Sequence, residues 1–93
     1  MAVDVKIYTT TYCGYCNAAK SLLSQRGVPF AEVDCTNDPD VRKWLIDQTG
    51  QRTVPQVFIG GIPVGGFNEL SQLDRGGKLQ SILAGDASPP SVL

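Results

Sequence analysis

The chain has 93 residues, a formal net charge of −1, 42% apolar residues, three cysteines and no histidine. That length makes one domain, which buries only about 60–65% of its unfolded surface. The charge gives no reason to expect nucleic acid or an anionic membrane as a partner, no apolar run is long enough to cross a bilayer, and the missing histidine removes Ser-His and Cys-His catalysis and any Cys/His zinc site.

Val3, Val5 and Ile7 alternate with Asp4, Lys6 and Tyr8, which predicts a first strand. Thr9 to Tyr12 is a polar loop. Ala19, Leu22, Leu23 and Arg26 follow helical spacing and predict a helix from about Gly14 to Arg26. Gly27 is its stop, and Pro29 follows. Phe30 to Asp34 predicts a second strand. Asp38 is the N-cap and Pro39 the first residue of a second helix, which carries Val41, Trp44 and Leu45 inward and ends near Gly50. Val57 to Ile59 and Ile62 to Val64 form a hairpin turned at Gly60-Gly61. Helix resumes near Asn68, pauses at Gly76-Gly77 and continues through Leu83. Residues 1–84 make the domain, and 85–93, with Gly85, Pro89 and Pro90, are expected to form a flexible tail. The order β-α-β-α-β-β-α predicts an α/β fold. Its first unit is parallel and right-handed, its hairpin antiparallel, and helices cover both faces of one mixed sheet.

Cys13-Gly14-Tyr15-Cys16 stands between the first strand and the first helix, where open α/β sheets place chemistry. A helix N-terminus stabilises an anion, so Cys13 is the expected nucleophile. Cys16, one turn into the helix, is the expected resolving thiol. A structural disulfide this short would constrain the unfolded chain little. A zinc half-site has no second pair of ligands in the chain. Three cysteines fit a reducing compartment, and no basic region precedes an apolar stretch, so no secretory signal is visible. In Thr53-Val54-Pro55, a cis proline beside the dithiol would turn the Val54 N–H and C=O outward to pair with an extended substrate. Gly65-Gly66-Phe67-Asn68-Glu69 either offers free helix N–H groups to a carboxylate or is a plain hairpin exit with Asn68 as N-cap.

These three motifs, in this order and spacing, resemble the glutaredoxins over about residues 3 to 84: Tyr-Thr-Thr-Thr-Tyr-Cys-Gly-Tyr-Cys, Arg-Thr-Val-Pro-Gln-Val-Phe-Ile and Gly-Gly-Phe-Asn-Glu-Leu. The resemblance implies a thioredoxin fold with a four-stranded mixed sheet. It also implies glutathione as reductant. Carried over residue by residue, it sets the glutathione sulfur at Cys13 beside Tyr15. The cysteinyl backbone pairs with Val54, held by Pro55 and flanked by Thr53. The γ-glutamyl carboxylate lies on the N–H groups of the Gly66, Phe67 and Asn68 segment, and its amine meets the Asn68 side chain. Arg42 matches a position for the glycine carboxylate, with a solvated helix arginine as the alternative.

Three positions depart from the family pattern. Gly14 stands where many dithiol members have proline, Thr10 where many have lysine, and Asn68 where aspartate is usual. The last two are expected to weaken glutathione binding by about 1 kcal/mol each. Family members with a small residue at Gly14 include some that bridge a [2Fe-2S] cluster in a homodimer through the first cysteine and glutathione. The resemblance thus implies a cytoplasmic, monomeric glutathione-dependent oxidoreductase acting on glutathionylated and disulfide-containing proteins, or alternatively a cluster-binding homodimer. A potential of roughly −200 to −230 mV is expected. Cys35 is expected to be an inert buried thiol, Trp44 a core residue and Lys20 a solvated one.

Overall fold

The computed structural model describes residues 3–11 and 13–91, so Tyr12 of the expected loop and residues 92–93 of the expected tail lie outside the described residues. In chain order the elements are β1 (Val5–Thr9), α1 (Gly14–Gln25), β2 (Ala31–Asp34), α2 (Pro39–Thr49), β3 (Gln56–Ile59), β4 (Ile62–Gly65), α3 (Phe67–Arg75) and α4 (Lys78–Leu83). Among the described residues the strands form one sheet in the order β2-β1-β3-β4. β1 pairs in parallel with β2, Lys6 opposite Ala31, and antiparallel with β3, Ile7 opposite Val57. β3 and β4 are antiparallel, with an irregularity between Val57 and Phe58. The expected mixed sheet is therefore present. It was read with one closing helix, which is two: Gly76 caps α3 and Gly77, with φ 74°, starts α4.

Strand alternation divides the core in two. Val5, Ile7, Val57, Ile59 and Val64 face one side and pack with Ala19 and Leu23 of α1, Leu70 and Leu73 of α3, and Leu79 and Ile82 of α4. Tyr8 and Phe58 face the other side and pack with Cys35 and with Leu45 of α2. Trp44 was expected in the core. It stacks on Phe58 with centroids 5.6 Å apart and lies near Tyr8, yet remains 42% exposed. Its ring borders an open concavity beside the starts of β1 and β2, which leaves one side to solvent.

Local signals set the element ends. Asp38 caps α2 by accepting the Val41 N–H at 3.2 Å, with Pro39 in its first turn. Gly27 has φ 67° just past α1, and Val28 N–H reaches back to Leu23 O at 2.9 Å, the αL stop expected there. Asn68 is not an N-cap. Gly66 is the cap, so α3 begins at Phe67 and Asn68 lies within its first turn. Arg26 grips Asp74 with two bonds, of 2.7 and 2.9 Å, tying the end of α1 to α3.

Candidate active site

Cys13 is the N-cap of α1, with extended backbone, and its Sγ accepts the Cys16 backbone N–H at 3.1 Å. An oxygen of Ser, Thr or Asp usually fills this place. Here a sulfur does, so the positive end of the helix acts directly on a nucleophilic atom. Cys13 is half-buried, and its Sγ lies 3.6 Å from Val54 O. The Val54-Pro55 bond is cis, as expected.

Cys16 is different in kind. It is buried, and its thiol is pushed up to about 12 by burial first and by its interaction with Cys13 second. The Thr10 backbone and Lys20 pull the other way. One turn of helix thus carries an accessible sulfur at a hydrogen-bonded cap and a buried one held as a neutral thiol.

A groove of about 290 Å³ opens beside this pair. Tyr15 and Phe67 form its aromatic walls, with ring centroids 6.2 Å apart. Thr53, Val54 and Pro55 line one side, and Gly66, Asn68 and Glu69 the other. Gly66 allows the two sides to meet, since a Cβ there would stand 3.1 Å from Pro55 O. Gln56 braces the near side from below: its Nε2 donates to Thr53 O at 2.8 Å and to Gln51 Oε1 at 3.0 Å. The loop before Cys13 is pinned to the end of β2. Thr11 N–H donates to Thr36 Oγ1 at 2.7 Å, and Thr36 donates its hydroxyl to Asp34 at 2.6 Å.

The expected residues converge with one offset. Tyr15, Thr53, Val54, Pro55, Gly66, Phe67 and Asn68 all line the groove. Arg42 lies next door, in a small recess with Arg52 that shares Gln51, Thr53 and Val54 with the groove.

The family model for glutaredoxin matches residues 5–64, a span that includes the dithiol and the Val54-Pro55 segment. The chain belongs to the glutaredoxin family. A Pseudomonas aeruginosa glutaredoxin is 46% identical over 86% of this chain and 95% of its own. Escherichia coli glutaredoxin 3 is 41% identical over 86% of this chain and 96% of its own. The crystal structure of a buckwheat glutaredoxin–glutathione complex superposes with a TM-score of 0.83 at 36% identity, covering 90% of this chain and 79% of that one. This glutaredoxin is accordingly a thiol–disulfide oxidoreductase of thioredoxin fold.

A larger concavity of about 660 Å³ lies beside the starts of β1 and β2, against Trp44 and Phe58. It holds no cysteine, so the smaller groove beside the dithiol is the better candidate for this glutaredoxin's site. Cys35 is buried as expected: burial pushes its thiol up, and it donates to Thr9 O at 3.1 Å. Lys20 departs from the solvated reading, since it pairs with Glu32 at 3.0 Å. Sequence reasoning also missed Gln51, Arg52 and Glu69 around the groove. Glu69 stood in the quoted motif, and starting the helix at Phe67 would have placed it in the first turn beside the groove. Arg52 likewise opened the quoted Arg-Thr-Val-Pro motif, whereas no local pattern marked Gln51.

Proposed function

We propose that this glutaredoxin reduces protein–glutathione mixed disulfides and protein disulfides with glutathione as the reductant. The observation that carries this is the position of Cys13 Sγ, which sits at the α1 N-terminus and 3.6 Å from a backbone oxygen of the groove. A peptide-like thiol compound laid along Val54 would bring its sulfur to that atom. The buckwheat relative, solved with glutathione, supports glutathione as that compound.

In this mechanism the Cys13 thiolate attacks the glutathione sulfur of a mixed disulfide. The protein thiol leaves and takes a proton. A free glutathione thiolate then attacks the glutathione bound to Cys13, releasing glutathione disulfide and restoring Cys13. With a protein disulfide, Cys13 forms a mixed disulfide first, Cys16 attacks Cys13 Sγ to release the substrate, and two glutathiones then reduce the Cys13–Cys16 bond and leave as glutathione disulfide. Tyr15 and Phe67 flank the ligand. Thr53, Val54 and Pro55 hold its cysteinyl backbone. The Gly66, Phe67 and Asn68 segment receives its γ-glutamyl end, and Arg42 draws the glycine carboxylate from the adjoining recess. Residues 1–84 are the unit that carries this activity, as a monomer in a reducing compartment such as the cytoplasm, with 85–93 as a tail. Turnover of a glutathionylated peptide with glutathione and glutathione reductase tests the proposal. Wild type should turn over and Cys13→Ser should not. Folded, reduced wild type with no turnover would refute it.

A second reading keeps one observation of its own. Nothing lies within 4 Å of a Cβ built on Gly14, so the approach to Cys13 is open on that side. Cys13 could then serve as one ligand of a [2Fe-2S] cluster shared with a second copy. Among the described residues no group of three or more His, Cys, Asp or Glu side chains could hold a metal ion. Cys16 and Cys35 are buried, so one chain would give the Cys13 thiolate alone, and the remaining ligands would come from glutathione and the partner copy. Such a cluster would supply electron storage or cargo rather than disulfide exchange. Colourless monomer after anaerobic reconstitution with iron, sulfide and glutathione would remove this reading.

A further inference from the structure

Cys16 has to lose its proton to close the dithiol, yet it is 1% exposed, so water cannot solvate the anion. Its surroundings have to do so. On α1 it is faced by Cys13 one turn before and by Lys20 one turn after, at i+4. From just past β1 the Thr10 backbone favours the charged form of the Cys16 thiol. From β2, Glu32 holds Lys20 at 3.0 Å, and Lys20 favours the charged forms of both Glu32 and Asp34.

Both favourable groups trace to one atom. Glu32 Oε2 accepts Lys20 Nζ at 3.0 Å and Thr9 Oγ1 at 2.7 Å. Thr9 is 1% exposed and directly precedes Thr10. We propose that Glu32 and Lys20 are positioning residues for the resolving sulfur. Glu32 fixes the cation and the strand end that together support the Cys16 thiolate as it attacks the Cys13 mixed disulfide, an inference that rests on the function proposed above.

The moment at which they act follows from charge. In the reduced protein, Cys13 opposes ionisation of Cys16 through both its hydrogen bond and its charge. Once Cys13 is in a mixed disulfide it carries no charge, and that opposition is gone. Burial then stands against the thiolate, with the Thr10 backbone and Lys20 for it. In the step itself Cys16 gives up its proton to solvent, and a Cys13–Cys16 bond forms as the Cys13–substrate bond breaks. The departing thiolate takes a proton, and the two electrons that reduce it come from the Cys16 sulfur. Attack of Cys13 on an incoming disulfide uses neither Glu32 nor Lys20. A variant with tenfold less Cys16 thiolate has a more nucleophilic one, for a net slowing of roughly threefold.

Mixing reduced protein with saturating glutathione disulfide, quenching in acid and weighing the products separates the two steps. The first phase adds one glutathione to Cys13, and the second loses it as Cys16 closes the ring. Lys20→Gln should slow the second phase roughly threefold at pH 7 and leave the first unchanged. Glu32→Gln should slow it in the same direction, and it supplies the test if Lys20→Gln does not fold. Lys20→Arg should stay near wild type, and 1 M salt should narrow the gap between wild type and Lys20→Gln. A second phase unchanged in both glutamine variants overturns the inference. So does equal slowing by Lys20→Gln and Lys20→Arg, or slowing of both phases together, which is the behaviour of a merely structural pair. Absence of the first phase in wild type overturns the glutathione-dependent function proposed above.

Discussion

Cys16 donates its backbone N–H to Cys13 Sγ at 3.1 Å, while its own thiol is buried and pushed up to about 12. The same residue therefore stabilises negative charge on its neighbour and resists charge on itself. The backbone part of that relationship survives any substitution at position 16 other than proline. The thiol part does not.

Cys16→Ser should for that reason keep the Cys13 cap and the removal of glutathione from a glutathionylated peptide, within about twofold of wild type. It should lose reduction of protein disulfides, which needs the second sulfur. Paired assays on a glutathionylated peptide and on insulin disulfides check this. Loss of both activities in a folded variant would refute the division of labour.

Ring closure should climb with pH across the neutral range. The Cys16 thiol is raised to about 12 by burial and by Cys13, so its thiolate fraction grows tenfold per unit while pH stays below its pKa. Even with the Cys13 contribution gone in the mixed disulfide, burial keeps the thiol raised. A closure rate that is flat between pH 6 and 9 would contradict this.

Asn68 and Thr10 are the positions to revert for tighter binding of glutathione. Asn68 is exposed on the groove and carries no charge for the ligand amine. Asn68→Asp and Thr10→Lys should each lower KM for the glutathionylated substrate about fivefold, equivalent to about 1 kcal/mol. Steady-state kinetics on the single variants measure this directly.

Gly65 and Gly14 should respond oppositely to alanine. Gly65 has φ 111°, and a Cβ there would lie 2.8–3.0 Å from the side chain of Glu69. Gly65→Ala should therefore cost about 1–3 kcal/mol. Gly14 sits at the first position of α1 with nothing within 4 Å, so Gly14→Ala should be neutral or slightly stabilising. Urea unfolding of the two variants gives the comparison.

The Arg26–Asp74 link predicts part of the acid behaviour. Arg26 holds the Asp74 carboxyl below its ordinary 3.8. The folded value is depressed, so the stabilisation is fully present above that ordinary value and is lost as pH falls through the folded value. Asp74→Asn should lower Tm at pH 7, and its difference from wild type should shrink as pH drops below 3.8. A difference that stays constant to acid pH would show that the pair contributes nothing through charge.

The fold was legible because its signals are local. Val5 and Ile7 alternate, Asp38-Pro39 opens a helix, Gly27 ends one, and each feature carries its own physical cause. The dithiol was legible for the same reason, and the groove residues through the family resemblance that the motifs carry. Trp44 was misread because helical spacing shows a shared face but not whether another part of the chain closes over it. The Lys20–Glu32–Thr9 arrangement was hidden because it joins three elements through side chains 12 and 23 residues apart. No periodicity reports such a pair.

The central claim is that Cys13 takes glutathione from a substrate onto its own sulfur. The direct measurement is the mass of Cys16→Ser after mixing with a glutathionylated peptide, followed by peptide mapping. The account predicts one added glutathione, on Cys13 and absent from Cys35, released again by free glutathione. Folded, reduced Cys16→Ser protein that gains no glutathione, or gains it on another residue, would contradict it.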